Sequence, residues 1–250
     1  MQFSLNNKVA LVVGAADEVG SAIAKRLASQ GATVVLLDKD ASGLAALAAE
    51  ITKTGGKALA ITADPVLPQT AKACVEQVRQ SLGDIHVLVN NTPDPAPHGL
   101  GALSAESFAG AIASTVGVQF AFMREVVPMM RDKACGRVVN LASIRSLGLP
   151  GGTDLAAAQS STFGLTRSVA LEAAPQRVTV NTVVKGDLAR PGMSEEETAK
   201  AVGPIPAKRL GTVDDIAYAV GFFASDAAQY VTGQTFFVCG GRSAHFSMSV

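Results

Sequence analysis

Two glycines near the start of the chain mark a turn that could hold phosphate groups. Gly14 follows a β-branched run at residues 8–13, and Gly20 lies at the start of an alanine-rich stretch with helical periodicity, residues 19–30. A helix that begins beside a strand end attracts anions, because its first amides are unpaired and its dipole is positive there. Glycine also lets the backbone approach a phosphate closely. The turn is therefore a candidate dinucleotide site, provided that the surrounding elements support it.

Short β-branched runs alternate with longer alanine-rich helical patterns along the chain. The predicted strands are residues 8–13, 33–38, 58–62, 85–90, 137–141, 178–183 and 235–238. The predicted helices are residues 19–30, 41–54, 69–82, 105–131, 156–173 and 213–224. This alternation predicts an α/β fold: a single doubly wound, Rossmann-like domain over residues 1–250, with a parallel sheet and helices on both faces. Residues 93–101 and 186–208 are predicted to be irregular and to follow strand ends, where open α/β sheets bind ligands.

The glycine turn resembles that of the short-chain dehydrogenase/reductase family, whose pattern is Thr-Gly-x-x-x-Gly-x-Gly. Gly14 and Gly20 match the first and last glycines of this pattern, whereas Val13 replaces the threonine and Glu18 replaces the middle glycine. The resemblance extends over nearly the whole chain. It implies the fold of that family, a nicotinamide dinucleotide cofactor and an alcohol substrate.

Three polar residues that follow predicted strands are similar to the adenosine contacts of the family. Asp38 matches the acidic residue that accepts the ribose hydroxyls; it would disfavour a ribose phosphate, so the resemblance implies NAD rather than NADP. Asp64 matches the adenine-contacting aspartate, and Asn90 matches the first asparagine of an Asn-Asn-Ala-Gly motif. Two structural alternatives stay open: Asp38 as a cap of the next segment, and Asn90 as a tie between neighbouring loops.

The pyrophosphate part of the site departs from the family. Glu18 adds bulk and negative charge at the helix start, so we predict that it blocks the pyrophosphate position, with Asp17 or Glu18 capping the helix as a built-in anion. The alternative is that Glu18 points to solvent and a cofactor still binds. Pro93 replaces the glycine of Asn-Asn-Ala-Gly, which removes an amide donor. The cofactor-binding residues implied by the resemblance are therefore expected to be vestigial: Gly14, Gly20, Asp38, Asp64 and Asn90.

The two residues that move the proton in the family are missing. Counting without a gap from the helix that follows the family's Tyr-x-x-x-Lys motif puts Leu155 at the tyrosine position and Gln159 at the lysine position. In the family, the tyrosine hydroxyl passes the proton and the lysine lowers the pKa of that tyrosine. Leucine has no exchangeable proton, and glutamine brings no positive charge. The chain has two tyrosines, Tyr218 and Tyr230, and both lie past the sixth predicted strand.

No other group is expected to take over the proton transfer. Thr115 stands at the family's asparagine position, and Ser143 matches its serine but is expected to bond a nearby backbone group. His98 is expected to be exposed, Asp154 to cap a helix, and Lys185 to be solvated or paired with the aspartate two residues later. None of these groups is expected to have the base and the orienting partner that catalysis needs.

Composition excludes several classes of partner. Lys plus Arg and Asp plus Glu are both 21, so the formal net charge is zero and no basic stripe suggests nucleic acid or an anionic membrane. The three cysteines, Cys74, Cys135 and Cys239, lack metal-ligand spacing, so no metal site is predicted. The N-terminal residues have no signal-peptide pattern and no apolar run could span a bilayer, so we expect a cytoplasmic protein.

The assembly surfaces implied by the resemblance are intact. The segments at residues 209–217 and 224–241 are similar to those that form subunit interfaces in the family. Phe246 and Met248 are more apolar than is usual for a free terminus. The C-terminal segment could therefore dock on a neighbouring subunit or fray, and both alternatives stay open. Small residues that let a second helix approach closely lie on the fifth long helix, namely Ala156, Ala157, Ala158, Ser160, Ser161 and Gly164. The alternative is that this surface packs only on the chain's own sheet.

These features favour a non-catalytic subunit of a hetero-oligomeric NAD-dependent dehydrogenase, supporting a homologous active subunit. No cofactor is expected to be tightly bound by this chain; the resemblance implies that NAD would lie in the partner. A resemblance in overall pattern, and no motif of this chain, implies a hydroxyacyl-CoA as the class of substrate. Two alternatives stay open. One is a self-sufficient NAD-dependent oxidoreductase with a rearranged proton donor, and the other is a binding protein that senses a nucleotide or metabolite.

Overall fold

The fold is built on a seven-stranded sheet in the order β3-β2-β1-β4-β5-β6-β7, in which every neighbouring pair is parallel. The computed structural model describes the backbone of residues 3–247 and the side chains of residues 3–244. The strands are β1 (Val9–Val13), β2 (Thr33–Asp38), β3 (Lys57–Thr62), β4 (Val87–Asn90), β5 (Gly136–Ser143), β6 (Val178–Lys185) and β7 (Thr235–Val238). The predicted α/β class with a parallel sheet is confirmed.

Helices cover both faces of the sheet. They are α1 (Glu18–Ser29), α2 (Ala41–Lys53), α3 (Thr70–Leu82), α4 (Ala105–Ile112), α5 (Val118–Asp132), α6 (Thr153–Ala173), α7 (Glu195–Val202), α8 (Val213–Phe223) and α9 (Arg242–Ser247). Because strand side chains alternate, Ala10 and Val12 pack with α1, α2 and α8, whereas Leu11 and Val13 pack with α3, α5 and α6. This arrangement confirms the predicted doubly wound architecture.

The strand order reverses beside β1: β2 and β3 are added on one side of it, and β4 to β7 on the other. β1 therefore pairs with both β2 and β4. In open α/β sheets, ligands bind outside the carboxyl ends of the strands at such a point. Here the β1 turn and the β4 loop touch through their backbones. Gly14 has a φ of +73°, and a Cβ added to it would lie 1.9 Å from the carbonyl oxygen of Asn91. A Cβ on Gly20 would lie 2.0 Å from the carbonyl oxygen of Gly14, so the packing of the chain itself requires both glycines.

Two segments differ from the sequence prediction. The prediction that residues 186–208 are irregular is wrong in part, because α7 lies within them. Its N-terminus carries a capping box, in which the Ser194 hydroxyl accepts from the amide of Glu197 and the Glu197 carboxylate accepts from the amide of Ser194. The long helix predicted at residues 105–131 contains a π-helical turn, Ala113–Gly117, that separates α4 from α5.

The small-residue surface expected on α6 is smaller than predicted. Ala158 is fully buried against the sheet, so its assignment to an assembly surface is wrong. The remaining members of the set are partly or fully exposed: Ala156, Ala157, Ser160, Ser161 and Gly164. The side chain of Phe246 and the whole of Met248 lie outside the described residues. Within residues 3–247, no helix combines the length and the apolar character that a membrane crossing requires.

We expect Gly14→Ala to lower the free energy of unfolding of the chain by roughly 2 to 4 kcal/mol, because it adds left-handed backbone strain and displaces the β4 loop. Denaturant unfolding of the protein without any added cofactor measures this. Gly55→Ala is the matched control, since Gly55 has a φ of +84° at the end of α2 but a Cβ there meets nothing within 4 Å. It should lose only about 1 kcal/mol from strain. Equal losses in the two variants would contradict a packing role for Gly14.

Candidate functional site

The start of α1 is capped by Asp17, one of the two residues between which the sequence left the choice open. An Asp17 carboxylate oxygen accepts a hydrogen bond from the amide of Gly20 at 2.6 Å and from the side-chain amide of Asn91 at 2.9 Å. The same Asn91 nitrogen donates to the carbonyl oxygen of Gly14 at 2.9 Å. A carboxylate of the chain therefore satisfies an amide donor at the position where the helix terminus would attract a phosphate.

Glu18 is the first residue of α1 and is exposed. Its carboxylate makes no hydrogen bond or ion pair with any residue in the described range. It lines a cleft at the carboxyl edge of the sheet, and Asp17 does not. Glu18 would therefore disfavour a pyrophosphate in two ways, by repelling its negative charge and by occupying space near it. This effect stays a prediction.

Two of the three residues expected to hold adenosine, Asp38 and Asp64, share a small pocket of about 80 Å³. Gly14, Asp38 and Asp64 line it together with Asn91. The Asp38 carboxylate accepts from the amides of Ala16 and Asp40, both at 3.2 Å. An Asp64 carboxylate oxygen accepts from the amide of Val66 at 3.0 Å. Both aspartates thus hold their loops, as the capping alternative for Asp38 expects, and each keeps a partly exposed carboxylate beside the pocket.

Asn90 does not line this pocket. It is fully buried at the end of β4, where its amide nitrogen donates to the side-chain oxygen of Asn140 on β5 at 2.8 Å. Asn140 in turn donates to Thr166 on α6, whose hydroxyl bonds Thr182 on β6. Asn90 therefore belongs to a buried polar network that links three strands and a helix. The loop contact that sequence reasoning missed is made by the next residue, Asn91.

The positions of the family's tyrosine and lysine are both buried on one face of α6. Leu155 is 4% exposed and Gln159 is 1% exposed. The amide oxygen of Gln159 accepts from the backbone amide of Ser143 at 3.0 Å, and its nitrogen donates to the carboxylate of Asp94 at 2.8 Å. Both ends of this side chain are therefore engaged, and it bridges β5 to the loop after β4. Asp94 is a site residue that sequence reasoning missed.

Neither of the remaining catalytic positions offers a free acid or base. Ser143 is 5% exposed at the end of β5, and its hydroxyl accepts from the amide of Arg145 at 3.3 Å, as the structural alternative expects. Thr115 lies in the π-helical turn and is fully buried. Its hydroxyl has no hydrogen-bond partner within residues 3–247.

Charged side chains surround Ser143 in a cleft of about 350 Å³. Lys185 lines this cleft at the end of β6, opposite Ser143 in the register of the two strands. Lys185 does not pair with Asp187, which was one of the two expectations. Asp187 instead accepts from Arg145 at 3.1 Å and forms a second ion pair with Arg242 at the start of α9. Lys185 makes no ion pair among the described residues, so its ammonium group is available at the cleft.

The expectation that no base has an orienting partner is wrong for His98. Its Nδ1 lies 2.7 Å from the carboxylate of Asp154, and its side chain is 44% exposed, as expected. Asp154 is not a helix cap: it lies inside α6, is 1% exposed, and accepts from the backbone amides of His98 and Leu155. Burial opposes ionisation of Asp154, but these hydrogen bonds outweigh it and lower its pKa to about 2. Neither His98 nor Asp154 lines the cleft beside Ser143.

Both tyrosines are remote from Ser143. Tyr218 on α8 is 58% exposed, and the guanidinium carbon of Arg26 lies 4.2 Å from the centre of its ring. Tyr230 is fully exposed in the connection to β7. Neither residue lines the cleft, so neither substitutes for the proton donor there.

The cysteines do not form a metal centre in the described part of the chain. Burial raises the pKa of Cys74 to about 12, and Cys239 is also buried. Cys135 is partly exposed, with its sulfur 3.7 Å from the ammonium nitrogen of Lys8. No group of three or more His, Cys, Asp or Glu side chains among residues 3–244 has a geometry that could hold a metal ion.

Residues 14–243 match the family model described as enoyl-(acyl carrier protein) reductase. The chain is 45% identical, over 250 residues and 100% of both chains, to subunit BbsC of (2S)-[(R)-hydroxy(phenyl)methyl]succinyl-CoA dehydrogenase from Thauera aromatica. It is 34% identical, over 242 residues, to subunit BbsD of the same dehydrogenase, covering 96% of this chain and 98% of that one. Two relatives are thus named as different subunits of one enzyme.

A solved structure agrees with the fold. A crystal structure from Sinorhizobium meliloti 1021, assigned as a short-chain alcohol dehydrogenase, superposes with a TM-score of 0.91. It is 29% identical to this chain and covers 98% of this chain and 99% of its own. The architecture is therefore that of a dehydrogenase, whereas the residues at the centre of the cleft differ from the family's catalytic set.

The Asp154 carboxylate should stabilise the fold in a pH-dependent way. A carboxyl whose pKa is lowered from 3.8 to about 2 on folding stabilises fully above pH 3.8, and this contribution is lost as the pH falls through 2. We expect the melting temperature of Asp154→Asn to lie below that of the unaltered protein near neutral pH, and the difference to shrink as the pH approaches 2. Asp132→Asn, at an exposed carboxyl on α5, should show little difference at any pH. A difference for Asp154→Asn that does not change with pH would contradict this role.

Proposed function

Because this chain belongs to the short-chain dehydrogenase/reductase family, we propose that it is the non-catalytic subunit of a hetero-oligomeric, NAD-dependent alcohol dehydrogenase. The partner would be a homologous chain with an intact Tyr-x-x-x-Lys pair. One observation carries the proposal: the tyrosine position is a buried leucine, and the lysine position is a glutamine with both ends of its amide engaged. A chain with this centre has no group placed to move a proton at an alcohol oxygen.

The neighbouring charges support the loss of function. In the family, the lysine supplies a positive charge that lowers the pKa of the tyrosine. Here Gln159 is neutral, and the charge nearest to it is the negative carboxylate of Asp94, 2.8 Å from its nitrogen. A tyrosine restored at position 155 would therefore have its pKa shifted in the wrong direction for proton transfer at neutral pH.

The residues present do not fit NAD along its whole length. The adenosine pocket with Asp38 and Asp64 favours an adenine ribose. At the pyrophosphate position, however, Asp17 already satisfies the helix terminus and Glu18 adds a second carboxylate. We therefore propose that NAD acts in the partner subunit and that this chain binds none tightly. Gly14 and Gly20 are retained for packing in this view.

The substrate of the complex is proposed from the two relatives. Both are subunits of a dehydrogenase named for an alcohol that bears a phenyl group and a succinyl-CoA thioester. We propose that the complex oxidises a hydroxyacyl-CoA of this kind, (2S)-[(R)-hydroxy(phenyl)methyl]succinyl-CoA or a close analogue. The phenyl ring of such a substrate suggests a role in the breakdown of an aromatic hydrocarbon. The partner would then be related to the second of these subunits.

Exposed apolar side chains favour assembly. Phe120 on α5 is 50% exposed and Leu171 on α6 is 78% exposed. They accompany the exposed small residues of α6, and a second helix could pack closely on such a surface. We propose that the partner covers this α5–α6 surface. The area buried there would stabilise the conformation of the partner's active site.

Co-expression tests the assignment. This chain, produced with a homologous chain from the same genome that carries Tyr-x-x-x-Lys, should purify as one complex that reduces NAD with the hydroxyacyl-CoA. Replacing the motif tyrosine of the partner with phenylalanine should abolish turnover while leaving the complex intact by native mass spectrometry. Turnover by a homogeneous preparation of this chain alone would instead favour the self-sufficient oxidoreductase and overturn the proposal.

Binding of NADH tests the role of Glu18. We expect Glu18→Gly to tighten NADH binding to the isolated chain by roughly tenfold or more, since removing about 1.4 kcal/mol of like-charge repulsion gives that factor. Glu18→Gln, which removes the charge but keeps most of the bulk, should have an intermediate effect. Isothermal titration calorimetry compares the three proteins. Tight binding by the unaltered chain would favour a nucleotide sensor, and equal affinities in all three would show that Glu18 does not obstruct the site.

A further inference from the structure

Two titratable side chains, His98 and Asp154, join the loop after β4 to the start of α6. That loop spans residues 91–104, and Asp154 is the second residue of the helix. Nδ1 of His98 lies 2.7 Å from one carboxylate oxygen of Asp154, and the other oxygen accepts from the backbone amide of His98 at 2.9 Å. The proposed function gives this pair no role in catalysis or assembly.

The start of α6 depends on contacts from this loop. No side chain caps the helix at Gly152. The amide of Thr153 instead donates to the backbone carbonyl of His98 at 2.9 Å, and the amide of Leu155 donates to Asp154 at 2.8 Å. Because the first amides of a helix have no partner within it, these two contacts stabilise the helix start.

The same loop forms part of the wall of the cleft beside Ser143. Asp94, four residues before His98, lines that cleft and accepts from Gln159 at 2.8 Å. Two polar contacts therefore fasten the loop to the first two turns of α6, one at Asp94 and one at His98. A change at His98 would alter how firmly the wall of the cleft is held.

His98 is the member of the pair whose charge changes near neutral pH. Burial opposes ionisation of Asp154, but its hydrogen bonds lower its pKa to about 2, so the carboxylate stays charged at neutral pH. An imidazole gains its proton as the pH falls from about 8 to about 5. Acidification therefore turns a hydrogen bond from a neutral donor into an ion pair with a carboxylate that is 1% exposed.

No second charge shares this contact within residues 3–244. Asp154 is the one charged side chain within ion-pair distance of His98 there. Residues 99–105 and 146–153, on the two packed segments, contain no charged residue. The other charged groups of these segments are engaged elsewhere or exposed: Asp94 with Gln159, Arg145 with Asp187, and Glu106 in the first turn of α4.

We propose that His98 and Asp154 form a pH-dependent latch that holds the loop after β4 against the start of α6. The latch is tighter on the acidic side of neutrality and looser on the alkaline side. It needs neither turnover nor a bound cofactor, so it goes beyond the proposed function and does not rest on it.

Amide hydrogen exchange of the full chain tests the latch. Protection is compared at about pH 5.5 and about pH 8.5, on either side of imidazole titration, after correction for the intrinsic pH dependence of exchange. Protection of residues 93–104 and 148–158 should be roughly fivefold higher at the lower pH, as a charge-assisted bond to a partly exposed imidazole allows. Peptides from α3 are the internal control and should show no such difference.

Single substitutions identify the titrating group. His98→Asn keeps a donor at the position of Nδ1 but cannot take up a proton, so protection of the two segments should be equal at both pH values. Asp154→Asn should also remove the difference, with lower protection throughout. The other two histidines are the matched controls: His86→Asn and His245→Asn should leave the difference in place.

A disulfide separates closure of the loop from protonation of His98. A Cβ on Gly152 would lie 3.2 Å from the Cβ of Pro97, which is close to the spacing of about 3.5 to 4.5 Å in disulfides. The oxidised double variant Pro97→Cys/Gly152→Cys should show high protection at both pH values. Reduction should restore the pH difference.

Three results would overturn the latch: equal protection of the two segments at both pH values in the unaltered chain, a difference that survives in His98→Asn, and a difference that survives in the oxidised double variant. None of them bears on the proposed non-catalytic role, which rests on Leu155 and Gln159. Conversely, a latch found in a chain that oxidises alcohols unaided would refute that role and keep the latch.

Discussion

The backbone contact between the β1 turn and the β4 loop fixes the carboxyl edge of the sheet. Gly14 has room for no side chain against the carbonyl of Asn91, and Gly20 has none against the carbonyl of Gly14. Asn91 then bonds both Gly14 and the capping residue Asp17. Because this contact is made by the chain alone, it needs no nucleotide to hold it. The carboxyl edge of the sheet can therefore keep its shape without a bound cofactor.

The glycines of the turn thus have separate physical roles. Gly14 and Gly20 are required by the packing of the chain, whereas Glu18, which stands at the position of the middle glycine, is exposed. At the centre of the cleft, Gln159 substitutes for a charged residue but still joins β5 to the β4 loop through Ser143 and Asp94. Gln159 thus connects elements of the fold without bringing a charge to the cleft.

Sequence patterns predicted the architecture well because strand and helix periodicity is local. The gap-free count from the α6 motif put Leu155 and Gln159 on one buried face, as the structure has them. The helix α7 was missed although the Ser194–Glu197 capping box was a readable signal, because its short length and polar composition resemble a loop.

Other features depend on contacts between residues far apart in the chain. The pairing of His98 with Asp154 joins positions separated by 56 residues, so no local sequence pattern predicts it. The bond from Gln159 to Asp94 is equally remote in sequence, so the role of Asp94 could not be read from its proline-rich loop. That Asn91 and not Asn90 contacts the β1 turn depends on the direction in which each side chain points at the end of β4. A shift of one residue reverses that direction.

The bridge from Gln159 to Asp94 also bears on what a Tyr-x-x-x-Lys pair would meet if it were introduced at this centre. Gln159→Lys on its own would bring an ammonium group next to the Asp94 carboxylate, and the two would form an ion pair instead of serving a phenol. Leu155→Tyr on its own would place that phenol near a negative charge. On the proposed non-catalytic role, neither substitution alone would give a working proton-transfer pair unless Asp94 also changed.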